Sequence, residues 1–158
     1  MATLTLDLAS PEETAALALR LAPAVGAGDV IFLGGEIGAG KSHFARALIR
    51  ALLARAGAPQ EDIPSPTFTL VQTYAAGLFD IWHADLYRLT DPQEVEELGL
   101  LSAFDEALCL VEWPDRLGPL APENALWLRL DIPPGAAETR RLHARGSAHL
   151  IDALRQTA

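Results

Sequence analysis

Residues 34–44 read GGEIGAGKSHF and follow directly on the apolar stretch DVIFL. Gly35, Gly40, Lys41 and Ser42 fit the spacing G-x-x-x-x-G-K-[ST] of a phosphate-binding loop, the P-loop. Each residue type has a task in such a loop. Glycines let backbone N–H groups turn inward and approach phosphate oxygens closely. Lys41 would reach the β- and γ-phosphates of a nucleotide, and the Ser42 hydroxyl would ligate Mg²⁺. A helix starting near Lys41 adds its positive dipole end. Glu36, Ile37, Gly38 and Ala39 inside the loop, with His43 just beyond it, complete the candidate nucleotide-binding segment.

Lys41 is the only lysine in the chain, and arginine supplies every other basic residue. A compact ammonium works as a point charge on phosphate. Its solitude also excludes a GTPase of the usual kind, because no lysine remains for an Asn-Lys-x-Asp guanine-reading motif.

Hydrolysis needs metal-holding carboxylates and a group that positions water. In α/β folds these belong at the carboxyl ends of strands. Glu112 ends LCLVE, the apolar run followed by an acid expected of a Walker B strand. It would hold Mg²⁺ directly or through water. Asp85 ends FDIWHAD and would hold metal or orient the attacking water. The sequence leaves open which of the two touches the metal. In SPTFTL, residues 65–70, Ser65 and Thr67 offer hydroxyls to a phosphate or metal, in a loop stiffened by Pro64 and Pro66. The same stretch also reads as the plain entry to a strand. His83 reads as a packed or hydrogen-bonded histidine. Trp113 reads equally as core and as a cover over the site or a partner contact.

These residues must be positioned by a frame. TLTLDL alternates as a short strand, and SPEETAALALRLA opens a helix with Ser10, Pro11 and Glu13 as a capping box. VIFL is a strand buried on both faces, and the pattern from Ser42 runs as a helix to Gly57. TFTLVQTY and GLFDIWHADLY read as strands, DPQEVEELGL as a helix, and ALCLVEW as a buried central strand. NALWLRLDI and ETRRLHARG read as an antiparallel edge hairpin, and Ser147 as the cap of a final helix. The sum is an α/β fold, a P-loop NTPase-like three-layer sandwich: a mainly parallel sheet with helices on both faces.

A chain of 158 residues with 50% hydrophobic composition suffices for one domain with its own core, here a P-loop ATPase domain over residues 1–158. Cys109 stands alone in an apolar run and reads as a buried, inert thiol. No signal segment or membrane-length apolar run is present, so the expected compartment is cytoplasmic. A net charge of −9 argues against a chain that grips nucleic acid by itself and favours protein partners and a magnesium-nucleotide.

GEIGAGKSHF, SPTFTLVQTY, HADLYRL and LVEWPD, in this order and spacing, resemble the TsaE (YjeE) family. That family is the small ATPase component of the bacterial machinery that makes threonylcarbamoyladenosine on tRNA. The resemblance runs from about Thr14 to Arg140. It implies that Gly35 to Ser42 bind ATP, that Ser42 and Glu112 hold Mg²⁺, and that Asp85 serves hydrolysis with Lys41 and Glu112. It further implies that Thr14 and Arg140 line the nucleotide. Its implied partners are TsaD and TsaB, with TsaC supplying an activated carbamoyl intermediate. Two departures stand out: the loop opens Gly-Glu-Ile where Gly-Asp-Leu is usual, and Ser42-His43 replaces Thr-Thr. Serine preserves the magnesium hydroxyl, whereas His43 removes a second one.

The expected function is a partner-activated ATPase, weak in isolation because no arginine is plainly placed as a finger. The alternative is a small-molecule kinase, which needs lid arginines. Between the P-loop helix and Glu112, Arg88 is the single arginine outside that helix. A third reading is a nucleotide-sensing adaptor, against which the two carboxylates count.

Overall fold

The continuous apolar runs become the middle of a seven-stranded sheet. The computed structural model describes residues 1–135 and 137–155. Its strands are β1 (Ala2–Leu8), β2 (Val30–Gly34), β3 (Val71–Ala75), β4 (Asp80–Asp85), β5 (Leu108–Glu112), β6 (Leu126–Asp131) and β7 (Arg140–Gly146). They lie in the order β1-β7-β6-β2-β5-β4-β3. The four central strands β6, β2, β5 and β4 pair in parallel. Antiparallel pairing closes both flanks, β3 against β4 on one side and β1 and β6 against β7 on the other. The β6–β7 hairpin is therefore present on its flank, with β1 added outside it as the outermost strand.

Strand alternation sends side chains to two cores. From β5, Leu108 and Leu110 enter the layer beneath the helices α1 (Pro11–Leu21), α2 (Lys41–Arg55) and α5 (Ala148–Arg155). Cys109 and Val111 enter the other layer, with α3 (Gln93–Glu97) and α4 (Leu100–Glu106). On α2, Phe44, Leu48, Ile49 and Leu52 recur at helical spacing and are buried, so this helix is fixed on the sheet by one apolar stripe. Each such side chain contributes about 1.5–3 kcal/mol by leaving water.

Helix ends follow local chemistry. Ser10 Oγ accepts from Glu13 N at 3.3 Å, while the Glu13 carboxylate accepts from the backbone N–H of Ala9, one residue earlier than the expected box. The helix expected over 91–100 stops at Glu97, and Gly99, at φ 79°, turns the chain into α4, which sequence reading missed. The strand expected from Thr67 begins only at Val71, because Leu70 N donates to Pro66 O at 2.7 Å and Leu70 has φ 68°. Trp113, at φ 57°, ends β5 and leads into a 3₁₀ segment, Pro114–Leu120. Ser147 Oγ accepts from Leu150 N at the start of α5. No described helix is long and apolar enough to cross a membrane.

Candidate functional site

The loop between β2 and α2 has a shape that glycine alone permits at Gly35. There φ is 132°, and a Cβ would stand 2.4 Å from the carbonyl oxygen of Leu130. Gly40, at φ 110°, precedes Lys41 and opens α2, with Phe44 N donating to Gly40 O at 2.9 Å. Arg140, at the start of β7, braces the loop from outside. Its Nε donates to Ala39 O at 3.1 Å and its Nη2 to Gly38 O at 3.2 Å, while Nη1 holds Ala137 O and Thr139 O. In a trans peptide the N–H points opposite to the C=O. Drawing Ala39 O towards Arg140 therefore aims the Gly40 N–H away from the arginine.

The two acids meet at the sheet. Asp85 and Glu112 are register partners at the carboxyl ends of parallel strands β4 and β5, and both are buried. The Ser42 hydroxyl lies 2.9 and 3.0 Å from the two Glu112 oxygens. Asp85 accepts from Thr67 Oγ1 at 3.1 Å and from Tyr87 N at 3.0 Å. Ser65 Oγ is 3.0 Å from Thr67 Oγ1, so the turn preceding β3 hangs on Asp85 through hydroxyls. Lys41 donates to Gly35 O, and its Nζ sits 3.6 Å from the centre of the Trp113 ring. Burial holds the Lys41 ammonium below its ordinary pKa, against the opposing pull of the Glu112, Asp85 and Asp115 carboxylates. Trp113 in turn packs at a tilt of 48° against Tyr87, with ring centres 4.9 Å apart.

Lys41, Ser42, Thr67, Asp85, Glu112 and Trp113 share one cavity of about 240 Å³. Gly38 borders this cavity and a second of about 260 Å³, where Thr14, Gly40, His43 and Arg140 meet. Glu36 O accepts from Ala39 N at 3.1 Å within the loop, and Ile37 projects to solvent at its tip. His43 Nε2 lies 2.8 Å from Pro11 O and ties the first turn of α2 to the start of α1. Most of the residues singled out in the sequence thus line two adjoining hollows, whereas Gly35, Glu36 and His83 line neither and Cys109 lies in the core. Among the described residues, no three His, Cys, Asp or Glu side chains form a metal-holding group by themselves.

Two contacts were illegible beforehand. His83 Nε2 lies 2.7 Å from Glu112 Oε2, both groups buried, and counting back two from Asp85 along a strand was the one signal available. The packing of Lys41 on Trp113 depends on the positive φ of Trp113, which its residue type does not announce.

The sheet order, with a glycine loop leading from a central parallel strand into a helix, is that of a P-loop NTPase-like fold. The crystal structure of Bacillus subtilis YdiB has this architecture as well: it superposes with a TM-score of 0.74 at 25% identity, covering 97% of this chain and 94% of that one. Residues 8–142 match the family model of "Threonylcarbamoyl adenosine biosynthesis protein TsaE", and the chain belongs to that family. Relatives named tRNA threonylcarbamoyladenosine biosynthesis protein TsaE agree. The Rickettsia conorii protein is 44% identical over 108 residues, 68% of this chain but 59% of that protein. The chain therefore spans less than two thirds of that relative. The Rickettsia felis protein is 38% identical over 127 residues, 80% of this chain and 72% of its own. The Bacillus subtilis protein is 37% identical over 119 residues, 74% of this chain and 70% of its own.

Proposed function

We propose that this chain binds ATP with Mg²⁺ and hydrolyses it as a cytoplasmic, single-domain component of tRNA threonylcarbamoyladenosine synthesis. Its partners in this reading are TsaB and TsaD, which raise its turnover. One observation carries the reading: the Ser42 hydroxyl rests on Glu112, with Asp85 beside it in register, under the opening turn of α2.

A hydroxyl and carboxylates are hard oxygen donors, the set that suits Mg²⁺. Ser42 and Glu112 would hold the ion, with phosphates and water as its other ligands. Bound there, Mg²⁺ neutralises charge that builds on the phosphate oxygens. Gly35 to His43 wrap the phosphates, with Thr14 and Arg140 along the nucleotide and Thr67 beside Asp85. Lys41 exchanges Gly35 O and the Trp113 ring for the β- and γ-phosphates. The negative nucleotide favours the charged ammonium that burial disfavours. Asp85, fixed by Thr67 and Tyr87 N, accepts from the attacking water and orients it.

The test separates binding from turnover. Lys41→Ala removes a charge-assisted contact of about 1.5–3 kcal/mol, so nucleotide affinity should fall about 10–100-fold while the fold survives. Asp85→Asn and Glu112→Gln should lower the rate of phosphate release far more than nucleotide affinity. Unchanged affinity in the first variant, or wild-type rates in both amides, overturns the assignment. Transfer of phosphate to a metabolite rather than water would favour a kinase.

A further inference from the structure

From the His83–Glu112 contact we infer that His83 is a positioning residue for the cation site: it fixes the Glu112 carboxylate that would hold Mg²⁺ against Ser42. The inference rests on the functional reading above. On β4, Ile81, His83 and Asp85 share the face that looks towards α2, and His83 lies one pleat below Asp85. Its Nε2 is 2.7 Å from Glu112 Oε2, whereas Ser42 Oγ approaches both Glu112 oxygens from α2. A carboxylate only accepts, so the ring N–H at this contact is on Nε2.

Packing does not account for a histidine here. The ring is 1% exposed, and its Nδ1 is buried without a partner among the described residues. Burying an unpaired polar atom costs free energy that a leucine at the same place would not incur. What the ring has and leucine lacks is the hydrogen bond to Glu112. Carboxylates that hold metals are themselves hydrogen-bonded, and losing such a supporting partner costs about 10–100-fold in metal affinity. Glu112 has no other side-chain donor than Ser42 and His83 among the described residues. A hydroxyl keeps its O–H when a lone pair turns to an ion, so Ser42 can ligate the ion and still donate to one Glu112 oxygen. His83 holds Oε2 from the other side, as the one side-chain donor to Glu112 among the described residues that is not itself a ligand of the ion.

The experiment is calorimetric titration of ADP into the full chain, with Mg²⁺ and with EDTA, for wild type, His83→Leu and His83→Gln. In His83→Leu the gain in affinity that Mg²⁺ confers should shrink about 10–100-fold, with the EDTA affinity unchanged. His83→Gln carries an amide N–H to about the same place and should keep most of the gain. Should the leucine variant fail to fold, His83→Asn, whose amide is too short to reach Glu112, takes its place. A full Mg²⁺ gain in the variant that lacks the donor overturns the inference. So does an equal loss with and without Mg²⁺ that glutamine does not rescue, since that marks a purely structural histidine. If wild type itself gains nothing from Mg²⁺, the reading of the site falls and takes this inference with it.

Discussion

At the scale of single residues, the proposed function asks groups of the site to change partners when a nucleotide binds. Lys41 waits on a carbonyl and an indole face, where burial works against its charge. Such a group gives up little when an anionic phosphate offers it a better partner. Cys109 shows the opposite design. It is fully buried on β5 among apolar neighbours, and burial pushes its thiol up to about 12. Native protein at pH 8 should therefore resist thiol reagents and become reactive only on unfolding, which absorbance on titration with a disulfide reagent measures. Rapid labelling of the native chain would contradict the placement. The sign of the pH effect follows. The folded thiol holds its proton above the ordinary value of 9.0, where the unfolded one has lost it, so this group's contribution to stability is complete below about 9.0 and is lost as pH rises towards about 12. Thermal melts at pH 8 and pH 10 should show a lower melting temperature at the higher pH, and Cys109→Ser should reduce that difference.

At the scale of elements, legibility depended on whether the deciding contacts were local. β5 could be read because a parallel central strand needs a continuous apolar run and the acid follows at once. The loop could be read because its glycines, lysine and hydroxyl are contiguous. α4 was hidden because Gly99 breaks one apolar pattern into two short helices, and α4, unlike α3 with its Gln93 N–H on Asp91 Oδ1, opens without a side-chain cap. The His83–Glu112 contact was hidden because it joins strands 29 residues apart, and a sequence does not state which strands are neighbours. Arg140 was expected along the nucleotide, and in this structure two of its nitrogens donate to the loop carbonyls of Ala39 and Gly38 while the third holds Ala137 O and Thr139 O. That yields a prediction about the element rather than the ligand. In the nucleotide-free protein, Arg140→Ala should speed hydrogen exchange at the loop amides about tenfold for each charged hydrogen bond lost. An arginine that merely lined a ligand would leave exchange in the free protein untouched.

At the scale of the whole molecule, the site opens beside apolar side chains that the fold leaves uncovered. Phe68 is 82% exposed under Arg88, and Ile37 is 73% exposed at the loop tip, with Tyr87 also at the mouth. A surface of this kind next to a nucleotide site, on a chain of net charge −9, suits a protein partner better than bare RNA. Enzymes commonly turn over at about 10 per second, and P-loop proteins without an arginine finger or ordered switch run about 10³–10⁵-fold slower. Phosphate release by the isolated chain should be correspondingly slow and should rise when TsaB and TsaD are added together; equal rates would remove partner activation. The topology carries one more consequence, for synthesis. The carbonyls of the phosphate loop are braced by an arginine 101 residues further along, and β1, at one edge of the sheet, pairs among the described residues with β7 alone. A ribosome adds about 5–20 residues per second. For some seconds the nascent chain therefore carries its phosphate loop unbraced and its first strand unpaired, and both are completed together when β7 emerges.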